Sequence, residues 1–162
     1  MSPSFGRIPS TVRILQQHPD AQHMTLREAI PADVPAMHAI RLRVRENRLS
    51  DPSVVTETDY HDFMACDTMS WVVEHAGTVI GFVMVDVEKQ NLWALFVAPE
   101  HEGRGIGKAL HDTMCATFFK RTDRLRLTTE PGSRAERFYR RAGYSDLGPT
   151  TNGKELIFEL CR

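Results

Sequence analysis

Three glycines alternate in Glu102-Gly103-Arg104-Gly105-Ile106-Gly107-Lys108, between an apolar run and a helical stripe. The run, Leu92 to Val97, stops at Ala98-Pro99, and proline cannot donate to a strand ladder. The stripe, Ile106, Ala109, Leu110, Thr113, Met114, Thr117 and Phe118, recurs at the spacing of one face of a long helix. Strand, glycine turn and helix in that order make an anion site. Glycine lets a ligand approach the backbone without meeting a Cβ. The free N–H groups at a helix start carry partial positive charge and suit a pyrophosphate. Arg104 and Lys108 add local charge. The turn is not a Walker loop, because Ala109 follows Gly107-Lys108 and the magnesium-binding hydroxyl is missing. Nor is it the dinucleotide fingerprint, which spaces its glycines G-x-G-x-x-G.

The rest of the chain narrows what such a turn can serve. Its 162 residues suit one domain with a proper core, and 41% hydrophobic with 25% charged residues is a globular composition. Twenty Lys and Arg against twenty-one Asp and Glu leave a net charge of -1, which does not ask for nucleic acid or an anionic membrane. No apolar run is long enough to span a bilayer, and the N-terminus lacks the pattern of a secretory signal. Cys66, Cys115 and Cys161 are far apart and outside metal-ligand spacing, so they read as reduced thiols of a cytoplasmic protein without a metal.

The elements that must hold the turn follow from periodicity. Residues 1–23, punctuated by Ser, Pro and Gly, read as a flexible extension, and residues 24–162 as the folded domain. Met24 to Ile30 alternates like a strand; Pro31-Ala32-Asp33 then starts a helix marked by Val34, Met37, Ile40 and Val44. A short helix is expected over Glu57–Cys66, then a hairpin of Trp71–Glu74 and Thr78–Val87 turning at Ala76-Gly77. Leu92–Val97 is apolar throughout, as expected of a strand covered on both faces. Leu125–Thr129 is a strand, Ala135 to Ala142 a helix closed by Gly143, and Tyr144–Leu147 and Glu155–Leu160 final strands. The fold class is α/β (α+β), a mixed central sheet flanked by helices.

Two segments together resemble the GNAT acetyltransferases. Glu102 to Gly107 is similar to that family's Q/R-x-x-G-x-G/A signature, and Ala135-Glu136-Arg137-Phe138-Tyr139-Arg140-Arg141-Ala142-Gly143-Tyr144 to its A-x-x-F-Y-x-x-x-G-F/Y segment. Element order agrees from about Met24 to Leu160. The sequence departs twice. Glu102 replaces the usual Gln or Arg and should point away from a pyrophosphate, and Gly132 replaces an Asn.

The resemblance implies direct transfer of an acetyl group from acetyl-CoA to a primary amine in a ternary complex, without a metal. It implies a strand splayed from its neighbour, with Leu95, Phe96 and Val97 pairing with the pantetheine arm and the Val97 N–H facing the developing oxyanion. Gly103, Arg104, Gly105, Ile106, Gly107 and Lys108 then hold the pyrophosphate. Tyr139 matches the general acid; a phenol of pKa about 10 protonates a thiolate of about 8.5 only if the site tunes it. Glu130 and Glu46 are the candidate bases. His101 and His111 read as surface or boundary histidines, the Arg41–Arg48 run as a solvated helix face, and Cys115 as packed rather than nucleophilic. Glu46, Asn47, Asp51, Glu57, Asp59, Tyr60 and Asp62 suggest an acidic rim for a cationic amine. An edge strand at Glu155–Leu160 allows a homodimer. The alternatives are a non-catalytic acyl-CoA-binding sensor or scaffold, and a nucleotide-binding regulator.

Overall fold

The computed structural model describes residues 24–46 and 53–162, together with the backbone of residues 12–13. Strand periodicity sorts the core into two halves. Val72, Phe82, Met84 and Ala94 face one side of a sheet; Trp71, Val73, Val83, Val85 and Leu92 face the other. The strands are β1 (Val12–Arg13), β2 (Met24–Glu28), β3 (Thr68–His75), β4 (Thr78–Asp86), β5 (Asn91–Val97), β6 (Arg124–Thr129), β7 (Ser145–Pro149) and β8 (Leu156–Cys161). They run in the order β1-β2-β3-β4-β5-β6-β8-β7. The helices are α1 (Val34–Arg43), α2 (Glu57–Met64), α3 (Ile106–Phe118) and α4 (Arg134–Arg141).

The first half of the core belongs to α1 and α2, through Val34, Met37, Ile40 and Tyr60. The second belongs to α3 and α4, through Leu110, Met114, Phe118 and Tyr139. The mixed sheet, the helices and the hairpin turning at Ala76 and Gly77 are those the sequence predicts. The expected flexible extension over residues 1–23 lies outside the described residues, apart from Val12 and Arg13 pairing with β2.

The decisive feature is where two strands part. β5 and β6 are parallel neighbours with one register pair, Asn91 with Arg126, and the Arg126 N–H donates to the Gln90 carbonyl at 2.9 Å. Beyond that point β6 stays paired with β8 and β5 with β4. The Ala98 N–H donates to the Ile80 carbonyl of β4 at 2.8 Å. Backbone groups alternate along an extended strand, so the Val97 and Leu95 N–H groups face the opposite edge, where β6 has left. This corrects the expectation that β5 is covered on both faces. Leu92 and Ala94 are buried, but Leu95, Phe96 and Val97 are only half-buried because their neighbour has gone. A second correction concerns the edge. β8 is interior, between β6 and β7, and β7 lies at the sheet's end.

A charged cluster fixes α1 against the sheet. Arg27 of β2 donates through Nη1 and Nη2 to both Asp33 oxygens at 2.8 Å and through Nε to Glu74 of β3 at 2.9 Å. Asp33 also accepts from the Ile30 N–H at 2.8 Å. Burial opposes ionisation of Asp33, but the Arg27 bonds outweigh it and hold the carboxyl below its usual range. Asp33→Asn should therefore cost about 2 kcal/mol near neutral pH. A folded pKa below the unfolded one gives stability that is present above the unfolded value, about 3.9, and lost as pH falls through the folded one. Urea melts should show the gap between wild type and Asp33→Asn shrinking below that pH.

Candidate active site

Gly103 (φ 75°) and Gly105 (φ 79°) take the left-handed conformation that residues with a Cβ avoid. Gly105 is the N-cap of α3 and brings no side chain to cap it, so the first N–H groups of a 13-residue helix stay open to a ligand. Gly81 on β4 allows the helix to sit this close. A Cβ there would meet Ile106 Cγ2 at 3.1 Å and the Phe96 carbonyl at 3.3 Å.

The turn closes one end of a groove of about 1080 Å³. Leu95, Phe96 and Val97 form one wall, and Ala135, Phe138 and Tyr139 of α4 the opposite one. Gly103, Gly105, Ile106, Gly107 and Lys108 all line it; Arg104 does not. Sequence reasoning missed Arg134, Arg137, Arg141 and Arg162, which also border it. The signal was present, since Arg134, Arg137 and Arg141 recur three and four residues apart on one helix. Lys108 pairs with Asp112 at 2.5 Å on the exposed side of α3. Among the described residues the groove thus has an anion cradle and a basic border, in a chain whose net charge is -1.

Arg134 is held twice. Its guanidinium pairs with Glu102 at 2.5 Å, and its backbone N–H donates to Glu46 at 2.7 Å. Glu102, the anomalous acid of the glycine turn, thereby has a counter-charge. Glu46 lines the groove at the start of α4. Glu130 is elsewhere, in a second cleft of about 390 Å³ with Arg41, Trp93, Thr129 and Glu155. The Ser133 hydroxyl donates to the Glu130 carbonyl at 2.7 Å and accepts from the Glu136 N–H, which joins the end of β6 to the cap of α4. The groove and the cleft meet where β5 and β6 part, and both are lined by Leu95, Phe96, Ala135 and Tyr139.

Tyr139 sits at that junction, 7% exposed, and burial pushes its phenol well above the usual value. Its ring packs edge-on to Tyr144 at 5.2 Å and Phe138 at 5.3 Å. His111, expected at the surface or boundary, is instead buried, with Nε2 2.8 Å from the Tyr144 hydroxyl. Its position on the inner stripe of α3, one residue after Leu110, brings it under α4. Cys115 is packed, as expected, and burial pushes its thiol up to about 11.

The acidic rim is not assembled as the sequence suggests. Asp59 caps α2, accepting from the Thr56 N–H at 2.6 Å; Tyr60 is buried in the core; Asn47 and Asp51 lie outside the described residues. Nor is the Arg41–Arg48 run simply a solvated face. Arg41 lies over the Phe96 ring, 4.4 Å from its centroid, and Arg45 lines the groove.

The sequence profile of the acetyltransferase (GNAT) family matches residues 34–144, from α1 through the glycine turn to the end of α4. The chain belongs to that family. It is 45% identical over 49 residues to the peptidyl-lysine N-acetyltransferase YiaC of Escherichia coli K12, a match spanning 30% of this chain and 33% of that protein. The fold is similar to the ribosomal-protein-S18-alanine N-acetyltransferase of Escherichia coli, with 21% identity, a TM-score of 0.70, and 85% of this chain and 93% of that one covered. It is also similar to the PaiA N-acetyltransferase of Thermoplasma acidophilum in complex with coenzyme A, with 16% identity and a TM-score of 0.68 over 86% and 99% of the two chains. In this GNAT-family chain the two clefts share lining residues where a pair of parallel strands parts.

Burial lowers the pKa of His111, against the opposing charge of Asp112. The unfolded chain then takes up this proton first as pH falls below about 6.5, so stability rises with pH across that window. Acidification from about pH 7.5 to 5.5 should lower the wild-type melting temperature more than that of His111→Gln, which removes the titrating ring. Equal shifts in the two proteins would show that His111 is not the group responsible.

Proposed function

We propose that this GNAT protein transfers the acetyl group of acetyl-CoA to a primary amine, which attacks directly while both substrates are bound. The observation carrying this reading is the set Leu95, Phe96, Ala135 and Tyr139, which lines both the groove and the second cleft. The groove suits the donor. Open helix N–H groups at Gly105 and the basic border at Lys108, Arg137 and Arg141 complement its phosphates, and the free edge of Leu95 and Val97 complements an extended amide-bearing arm.

Bound acetyl-CoA supplies an activated thioester carbonyl. Glu130, in the cleft, takes a proton from the entering ammonium, directly or through water. The Val97 N–H donates to the carbonyl oxygen as charge develops on it. Tyr139 gives its proton to the departing sulfur; burial keeps this phenol protonated through the neutral range. Burial also makes it a weaker acid than a free phenol, so the basicity of the departing thiolate drives the transfer. The C–N bond forms as the C–S bond breaks, and one proton is released per turnover from an amine that enters protonated. Glu46, bonded to the Arg134 N–H, is assigned to holding the start of α4 rather than to the base role. Residues 24–162 are proposed as the N-acyltransferase domain.

Thiol-release kinetics and calorimetry test this. Tyr139→Phe should lower kcat roughly 100-fold with acetyl-CoA affinity changed little, because a proton donor is lost and no contact to the phosphates is. A Cβ at Gly107 would meet only Val97 Cγ2, at 3.8 Å, so a larger side chain fits the helix but fills the groove. Gly107→Trp should weaken acetyl-CoA binding at least roughly 30-fold, about 2 kcal/mol, while the melting temperature is kept. Binding of acetyl-CoA with turnover unaffected by Tyr139→Phe would remove the acid. Binding with no turnover of any amine would favour the sensor reading.

A further inference from the structure

The 390 Å³ cleft carries charge of both signs. Its carboxylates, Glu130 and Glu155, suit an ammonium. Arg41 does not. Its guanidinium comes from α1 to lie over Phe96, and its Nη1 is buried with no hydrogen-bond partner among the described residues. A buried, unpaired guanidinium N–H costs about 1–3 kcal/mol or more, so a protein seldom keeps one without a partner that arrives later. Burial lowers the Arg41 pKa, with the charges of Tyr60 and Glu130 working the other way, yet an arginine of this kind stays charged near neutral pH. A charged donor of this kind favours an anionic partner. Arg41 presents planar N–H donors, the geometry that pairs with a carboxylate.

Position narrows the anion further. Phe96, under the guanidinium, is itself one of the four residues shared by the groove and the cleft. The bound anion thus lies beside the point where the amine must meet the thioester. An α-amino acid carries both complementary charges on one small molecule, an ammonium for the carboxylates of the cleft and a carboxylate for Arg41. A polyamine would bring a second cation against Arg41, which a buried site penalises. A lysine side chain or a chain N-terminus in a peptide offers no carboxylate next to its nitrogen.

We propose that the acceptor of this site is a free α-amino acid, its carboxylate bound by Arg41 and its ammonium directed to Glu130. The inference rests on the acetyl-transfer reading and names its substrate class. The reaction is acetylation of the α-nitrogen. The acetyl C–S bond breaks, a C–N bond forms, the nitrogen gives up two protons, one protonates the sulfur by way of Tyr139, and one is released.

The test measures thiol release from acetyl-CoA with the full chain and four acceptor sets: the common L-amino acids, their carboxamides, spermidine, and a lysine-containing peptide with a blocked N-terminus. At least one amino acid should exceed its own carboxamide by roughly 30-fold or more in kcat/KM, since the neutral amide forms no ion pair with the guanidinium. Arg41→Gln should raise KM for that amino acid roughly tenfold or more, leave calorimetric affinity for acetyl-CoA unchanged, and narrow the gap to the amide. Arg41→Lys should restore part of the preference. The wild-type amino acid to amide ratio stands alone if Arg41→Gln fails to fold. Equal rates with acid and amide, or turnover confined to spermidine or the peptide, would overturn the amino-acid proposal and leave acetyl transfer in place. Acetyl-CoA bound with no amino acid acetylated would overturn it equally. Failure to bind acetyl-CoA would remove the parent reading instead.

Discussion

Everything in this molecule that bears on chemistry depends on the single bridge between β5 and β6. Had the two parallel strands stayed paired beyond Asn91 and Arg126, Leu95, Phe96 and Val97 would be an interior strand with satisfied backbone groups. Because they part, one edge of β5 keeps N–H and C=O groups that no neighbouring strand takes. Such an edge is a liability in most sheets. Here it lies inside a groove instead of on the outer rim, where another chain could add to it. The gap is held open by what flanks it. β6 is drawn away by six register pairs with β8, and β5 is held by β4 and by the Ala98 to Ile80 bond.

The same opening explains why α4 is so heavily tied down. Its N-terminus meets Glu46 and Glu102 through Arg134, Ser133 caps it and reaches Glu130, and Glu136 pairs with Arg140, which pairs with Asp146 of β7. These exposed pairs contribute little to stability singly. Their value is positional. They hold Tyr139 over the gap between the strands, while Tyr144, Phe138 and His111 pack its ring from the protein side. A phenol that must present one oxygen at one place gains from a ring that cannot turn.

The sequence made the donor side legible and left the acceptor side largely hidden, for a physical reason. The glycine turn is local. A strand, three glycines and a helical stripe are contiguous, and the left-handed backbone at Gly103 and Gly105 requires glycine wherever it occurs. The α4 stripe was legible for the same reason, whereas a role for Tyr139 was reached only through resemblance. The splay was reached only through resemblance, since Leu92–Val97 reads as an ordinary buried strand and nothing within it records that β6 departs. His111 was misread because one residue of a helical stripe carries no mark of what packs above it. Arg41 was misread because a basic run on α1 looks solvated until Phe96, fifty-five residues later, is found beneath it. Asp59 failed in the opposite direction. An acidic residue that looked like part of a binding surface is a helix cap.

This contrast follows from how the two sites are built. The donor presents phosphates and an amide-bearing arm, which backbone groups recognise, and backbone recognition leaves a pattern in neighbouring residues. The acceptor cleft is built from side chains of α1, β5, β6 and the segment before β8, brought together only by the fold. Backbone recognition resists change, because altering Gly105 alters the turn itself. Side-chain recognition does not, because Arg41, Trp93 and Glu155 each project from an element whose packing is set by other residues, such as Met37, Ile40 and Phe158. On the proposed reading, a sheet opened at one place combines a fixed donor site with an adjustable acceptor site, whose side chains come from α1, β5, the end of β6 and the segment before β8.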